Sequence, residues 1–118
     1  MTIHRSEFIR LLRAELPEIE PLLSGSRLNM TSEMGAFLEL AEMAISTRDR
    51  DQLRRIFSFA ERVLTQGNLE VRNALGVSFL EHLPLDSEAG REALAVLPGS
   101  LRLAREEALV SLGKRSAS

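Results

Sequence analysis

The sequence predicts an all-α fold of five or six short antiparallel helices. Apolar residues recur every three to four positions through nearly the whole chain, which is the spacing that gives a helix one apolar face. No run alternates with a period of two over five residues, and β-branched residues are few, so no strand is expected. Two architectures fit this pattern, a compact α-α superhelix of the HEAT type and a helical bundle.

The N-terminal part of the chain predicts one helix and a short turn. The first helix covers Ser6–Leu16 and stops before Pro17, because proline does not continue a helix. Its apolar face comprises Phe8, Leu11, Leu12 and Leu16. A short turn of helix is expected at Glu18–Leu23, followed by a loop at Ser24–Ser26.

Two longer helices follow. The first is capped by Thr31 or Ser32 and extends to about Ser46. The second covers Asp51–Gln66, where the apolar residues share an arc of about 120° on a 3.6-residue helix. The expected seam of the first helix comprises Met34, Phe37, Leu38, Ala41 and Ile45. The apolar arc of the second comprises Leu53, Ile56, Phe57, Ala60, Val63 and Leu64.

A helical hairpin is expected around Gly67 and Asn68. Gly67 occupies the position just after a helix, where glycine adopts the left-handed conformation without a clash, and Asn68 is a typical N-cap for the next helix. That helix covers Leu69–Leu83 and ends at Pro84. It carries apolar residues around more than half of its circumference, so we expect it to be central in the fold. Close approach of another helix would offset the cost of Gly76 within it.

The C-terminal part predicts two more helices. The first is capped by Asp86 and ends near Leu97. The second covers Ser100–Leu112, with Gly113 as the residue that terminates it. Residues 1–113 are expected to form a single domain, and residues 114–118 a flexible tail.

Composition restricts the classes of function. The chain of 118 residues has no Cys, which excludes disulfides, thiolate metal sites and cysteine nucleophiles. It carries 15 basic and 17 acidic residues and no basic arm, so nucleic acid is not an expected partner. Its longest apolar stretches are far shorter than the roughly 20 residues that span a membrane. A cytoplasmic location away from membranes is therefore expected.

No residue pattern predicts an active site, a metal site or a cofactor site. His4 and His82 belong to no metal-ligand spacing. Ser78 and His82 lie one helical turn apart, but such a pair lacks the strand-to-helix elbow that exposes a serine nucleophile. No glycine-rich phosphate loop occurs. We therefore expect a non-enzymatic protein, with an enzyme that uses Asp or Glu side chains as the minor alternative.

One surface invites a functional interpretation. On the helix that ends near Ser46, two apolar residues lie away from the predicted seam, two carboxylates flank them, and a charged loop follows at residues 48–51. An apolar spot among carboxylates is typical of a protein-binding surface. The candidate partner-binding residues are Glu39, Leu40, Glu42, Met43, Asp49 and Asp51. The alternative is that Leu40 and Met43 pack on a second neighbouring helix.

Two stretches carry a family resemblance. One is residues 7–18, with Glu7-Phe8-Ile9 at its start, and the other runs from Gly67-Asn68-Leu69 to Leu83. Together they resemble a group of small bacterial all-helical proteins, mostly uncharacterised, whose members look like immunity or accessory proteins of polymorphic toxin systems.

The resemblance implies a cytoplasmic partner-binding protein and leaves the partner open. Our first hypothesis is a module that neutralises a cognate bacterial toxin by direct contact. A basic, nuclease-like toxin is one such partner, since acidic side chains speed association with a basic surface. The alternative function is a self-associating helical scaffold, or an accessory protein without a toxin partner, that forms a weak homodimer.

Overall fold

The computed structural model describes residues 2–23 and 30–111, and in these residues the fold is all-α. Short 3₁₀ segments occupy Pro17–Leu22 and Leu80–His82. The α-helices are α1 (Arg5–Glu15), α2 (Met30–Thr47), α3 (Arg50–Gln66), α4 (Leu69–Ser78), α5 (Glu88–Leu94) and α6 (Gly99–Ser111). The expected loop at Ser24–Ser26 and the residues from Leu112 onward, with Gly113 and the tail, lie outside the described residues.

Helices α2 and α4 lie at the centre of the fold. Helix α2 contacts α3, α4, α5 and the first 3₁₀ segment, and α4 contacts α1, α2, α3, α6 and the second 3₁₀ segment. Helices α1 and α6 each also pack on α3. Helices in a superhelix contact mainly their neighbours in the chain. The contacts between distant helices therefore match the helical bundle among the two expected architectures.

Four phenylalanine rings join the helices in the core. Phe8, Phe37, Phe59 and Phe79 are all buried. The rings of Phe37 and Phe79 stack with centroids 4.3 Å apart, and Phe37 meets Phe59 edge-on at 5.6 Å. These contacts tie α1, α2 and α3 to the segment after α4, because such ring pairs add to the free energy of burial.

The hairpin between α3 and α4 forms where the sequence predicts it, but Gly67 is not left-handed. Its φ is −70° and its ψ is 149°. A Cβ at this position would lie 2.6 Å from the carbonyl oxygen of Val63, so close approach of the chain, and not a positive φ, requires glycine. Asn68 caps α4 as expected, and its side chain accepts a hydrogen bond from the Val71 amide at 2.9 Å. The backbone of Ile3 pairs beside this turn.

Helix α4 is shorter than the sequence predicts, and its central position is confirmed. It ends at Ser78, because Phe79 leaves the helical region with φ −123° and ψ −65°. It contacts α1, α2, α3 and α6. Val71 and Leu75 are buried, whereas Leu69 and Val77 are exposed. Helix α2 begins at Met30, one residue before the expected cap at Thr31.

Helix α5 is also displaced from its expected start. Ser87, and not Asp86, is the N-cap, and its hydroxyl accepts a hydrogen bond from the Gly90 amide at 3.0 Å. A Cβ at Gly90 would lie 2.2 Å from the Pro84 carbonyl oxygen. The segment before α5 therefore packs directly on its backbone.

Candidate protein-binding surface

The most prominent surface feature is an apolar face formed by α4 and α6. Five large apolar side chains are exposed in the described part of the chain, and all except Met43 lie on these two helices. A cleft of about 280 Å³ separates α4 from α6, and a shallower site on α6 adjoins it through Glu107. We define the α4–α6 face by Leu69, Arg72, Val77, Leu103, Glu107 and Val110.

The apolar side chains of this face are strongly exposed. The exposed fractions are 65% for Leu69, 48% for Val77, 59% for Leu103 and 61% for Val110. Each helix is nevertheless anchored in the core, α4 by Leu75 and α6 by Leu101. The face is thus a surface on two fixed helices.

Gly76 lies on the side of α4 that faces α6. A Cβ built on Gly76 would lie 3.6 Å from the Cβ of Ala108, an ordinary van der Waals contact. An alanine would therefore fit at this position, and the contact between α4 and α6 does not require glycine.

Two charges of opposite sign lie on the α4–α6 face. Arg72 lines the cleft from α4, and Glu107 lines it from α6. Neither side chain forms an ion pair with another residue in the described part of the chain. Apolar side chains bordered by polar groups are the usual composition of a protein interface.

The surface predicted around Leu40 is only partly present. Leu40 is 3% exposed and belongs to the core, so its assignment to a binding surface is wrong. The cause is the position of α2, whose several neighbouring helices cover more than one face. Met43 is half exposed, so the alternative of packing on a neighbouring helix holds for Leu40 and not for Met43.

The acidic residues predicted for the same surface divide into two groups. Glu39, Glu42 and Asp51 are exposed, and Asp51 lies 3.5 Å from Arg54 in the next turn of α3. Asp49 has a structural task, because its carboxylate accepts a hydrogen bond from the Gln52 amide at 3.1 Å and caps α3. Their binding to a partner stays a prediction.

The turn between α2 and α3 contains a feature that the sequence pattern does not reveal. Arg48 has a φ of 55°, the left-handed conformation that glycine usually supplies. Its amide donates to the Ile45 carbonyl, and the Asp49 amide donates to the Ala44 carbonyl at 3.0 Å, which is the Schellman pattern of helix termination. The Arg48 guanidinium also binds Glu92 at 2.9 Å and so connects this turn to α5.

A second charge cluster fastens the first 3₁₀ segment to α3. Glu18 accepts a hydrogen bond from Arg55 at 2.6 Å and another from Gln52 at 3.0 Å. The hydrogen bond from Arg55 is the main reason that the pKa of Glu18 falls to about 2. This cluster joins two elements and leaves no free group for chemistry.

Glu33 is the buried acidic residue of the described core. It is 3% exposed, and its Oε1 atom accepts no hydrogen bond from another described residue. Burial raises the pKa of this carboxyl above its ordinary value, because desolvation disfavours the charged form. Arg5 and Arg13 lower the pKa of this carboxyl but do not outweigh the effect of burial.

The histidines lie apart from any cluster of metal ligands. The backbone amide of His4 donates to Glu7 at 3.1 Å at the start of α1, and the His4 Nδ1 lies 3.1 Å from the Asn68 amide nitrogen. His82 is exposed beside Glu81. Across residues 2–23 and 30–111, no three His, Asp or Glu side chains are grouped as ligands for a metal ion. Over the same ranges, every helix is too short or too polar to cross a membrane.

These features define a small all-α protein whose most distinctive surface is an apolar helix face with one basic and one acidic residue. Residues 9–110 match a domain of unknown function, DUF7674, and the chain belongs to this family. No curated protein and no solved structure matches the chain. The match confirms an uncharacterised family, and its description contains no link to immunity proteins or toxin systems.

Proposed function

We propose that this chain is a non-enzymatic protein-binding module that contacts another protein chain through the α4–α6 face, and that the acidic residues of α2 are a second, separate surface. The observation that carries the proposal is the concentration of exposed large apolar side chains on α4 and α6. Burying one such side chain is worth roughly 1.5–3 kcal/mol. A row of four on one face therefore favours association with another protein surface.

The anchoring of the face supports the same function. Leu75 of α4 and Leu101 of α6 are fully buried, so the two helices that carry the face are held by the core. A surface that is fixed before binding loses less conformational entropy when a partner arrives. This is the property that a binding module needs.

Our finer proposal is that a cognate bacterial toxin binds in the cytoplasm at the second surface, on the acidic side of α2. Its support is the resemblance of residues 7–18 and 67–83 to immunity and accessory proteins. In this proposal the exposed Glu39, Glu42 and Asp51 attract a basic toxin and raise the rate of association. Met43 adds an apolar contact on the same helix as the two glutamates.

The test is capture of partners by the full chain from a lysate of its native host, followed by mass spectrometry. The face variant carries Val77→Glu and Leu103→Glu, which change two exposed side chains. The matched control is Ser58→Glu, an exposed position of α3 that lies outside the α4–α6 face and outside the acidic surface of α2. We expect one stoichiometric partner that the wild type and the control retain and that the face variant loses.

Two results would contradict the proposal. Equal capture of the partner by the face variant would remove the α4–α6 face from the interface. Capture of no partner, together with a chain that stays monomeric, would remove the protein-binding function itself. For the finer proposal, a toxin encoded beside this chain must be captured, and Glu39→Lys with Glu42→Lys must slow its association.

A further inference from the structure

We propose that the partner of the α4–α6 face is a second copy of this chain, arranged about a two-fold axis. The inference rests on the proposed function, since it names the protein that the face binds. A two-fold dimer requires a surface that is complementary to itself. The α4–α6 face meets this requirement in both its apolar residues and its charges.

The apolar residues of the two helices have matching spacings. Leu69 and Val77 are separated by about 12 Å along α4, and Leu103 and Val110 by about 10.5 Å along α6, at a rise of 1.5 Å per residue. All four side chains are roughly half or more exposed. When α4 of one chain lies antiparallel to α6 of the second, Leu69 faces Val110 and Val77 faces Leu103 of the other copy.

The charges match in the same register. Arg72 follows Leu69 by three residues, and Glu107 precedes Val110 by three residues. The antiparallel alignment therefore places Arg72 opposite Glu107 of the second copy. Because the axis is two-fold, the same ion pair forms twice. Each copy thus supplies a partner for a charge that has no ion pair within the described part of one chain.

The charges also make an alternative dimer, in which α6 packs against α6 of the second copy, unfavourable. Placing α6 against α6 of the second copy in antiparallel fashion, with Leu103 against Val110, brings the two Glu107 carboxylates close together. Like charges facing each other at an interface are unfavourable. The pairing of α4 with α6 is the arrangement that satisfies both the apolar spacing and the charges.

The test measures the mass of the full chain in solution over a series of concentrations up to about 1 mM, which detects even weak dimers. We compare the wild type with Arg72→Glu, with Glu107→Arg and with an equimolar mixture of the two variants. The control is Asp86→Arg, an exposed acidic residue before α5 that lies outside the face. Thermal unfolding of each variant verifies that the fold is retained.

The expected result is a concentration-dependent dimer of the wild type and of the control. Each face variant weakens the dimer by about tenfold or more, because two attractive pairs become two repulsive ones. In a mixed dimer, the carboxylate introduced by Arg72→Glu faces the guanidinium introduced by Glu107→Arg, and the second pair is the native Arg72 with Glu107. The mixed dimer therefore regains the wild-type affinity. An ion pair within one chain would not produce this recovery.

Two outcomes overturn the inference. If the wild type is monomeric at every concentration, the second copy is not the partner. If both variants weaken the dimer and the mixture does not recover it, the register of α4 against α6 is wrong. The wild type could instead be monomeric and capture another protein that the variant with Val77→Glu and Leu103→Glu does not capture. That result would overturn the dimer and leave the protein-binding function intact. Failure of both experiments would remove the function as well.

Discussion

The turn between α2 and α3 and the α4–α6 face use their charged residues in different ways. At the turn, Asp49 caps α3 and Arg48 binds Glu92. On the α4–α6 face, Arg72 and Glu107 have no ion pair within the described residues. Charge density alone therefore does not indicate which charged residues remain without an ion pair in the fold.

The apolar residues of the two regions show the same contrast. Leu40 of α2 is buried, and Val77 of α4 is 48% exposed, although Leu40 is a candidate binding residue in the sequence and Val77 belongs to a predicted central helix. Both helices carry more apolar residues than one face can hold, and both contact several other elements. The number of neighbours therefore does not decide which of these residues are buried. The position of the neighbours around each helix does.

The largest expected effect tests the contrast at Leu40. Leu40→Ala removes a side chain that is 3% exposed, and loss of a buried leucine costs roughly 2–5 kcal/mol of unfolding free energy. The matched variant Met43→Ala, three residues along the same helix, is expected to change stability by less than about 0.5 kcal/mol. Chemical denaturation of both variants measures the difference. Similar losses for both would show that Met43 is also core.

The second prediction concerns the two aspartates at the start of α3. Asp49→Ala removes the acceptor of the Gln52 amide, and loss of an N-cap costs about 1 kcal/mol. Asp51→Ala changes a carboxylate that is 95% exposed beside Arg54, so we expect a change within about 0.5 kcal/mol. Urea denaturation of the two variants provides the comparison. Equal stability of the two variants would contradict a capping role for Asp49.

The local features of the fold follow from the sequence with small errors. The predicted helix over Asp51–Gln66 is confirmed almost to the residue as α3, because its apolar arc is narrow and both of its ends carry recognisable caps. Asn68 caps α4 as predicted. These features depend on residues that are close in the chain, where periodicity and capping preferences are informative.

The features that the sequence does not predict depend on contacts between distant elements. The turn after α2 has a left-handed residue, but this residue is Arg48 and not the glycine that the sequence pattern would reveal. Arg48 also forms an ion pair with Glu92 of α5, which is far away in the chain. The sequence pattern misses the α4–α6 face because periodicity places apolar residues around most of α4 but does not show which of them the neighbouring helices cover. One signal is available: Leu103 and Val110 are two helical turns apart and so lie on one side of α6.

The third prediction concerns acid stability at the α3 side of the molecule. The pKa of Glu18 is lowered from 4.5 to about 2 by Arg55. Its contribution to stability is therefore present above pH 4.5 and is lost as the pH falls toward 2. Because the partner Arg55 is half exposed, we expect this contribution to be only about 0.5–1 kcal/mol.

Glu18→Gln isolates that contribution. The variant should be less stable than the wild type near neutral pH, and the difference should shrink as the solution is acidified below 4.5. Burial raises the pKa of Glu33, so its effect on the pH dependence of stability is opposite to that of Glu18. Both the wild type and Glu18→Gln contain Glu33, so its effect cancels when their unfolding free energies are subtracted. Urea denaturation over this pH range is the measurement. A difference that is constant with pH would mean that Arg55 does not lower the pKa of Glu18.

The smallest expected effect tests the open space in the α4–α6 cleft. Gly76→Ala adds a methyl group that would lie 3.6 Å from the Ala108 Cβ, so no clash is expected. Alanine is also the better helix former, and we expect a gain of roughly 0.5 kcal/mol in unfolding free energy. Gly90→Ala is the matched control, since its Cβ would lie 2.2 Å from the Pro84 carbonyl oxygen and must destabilise the fold. A loss of stability at Gly76 would show that α4 and α6 are packed more tightly than an open binding cleft allows.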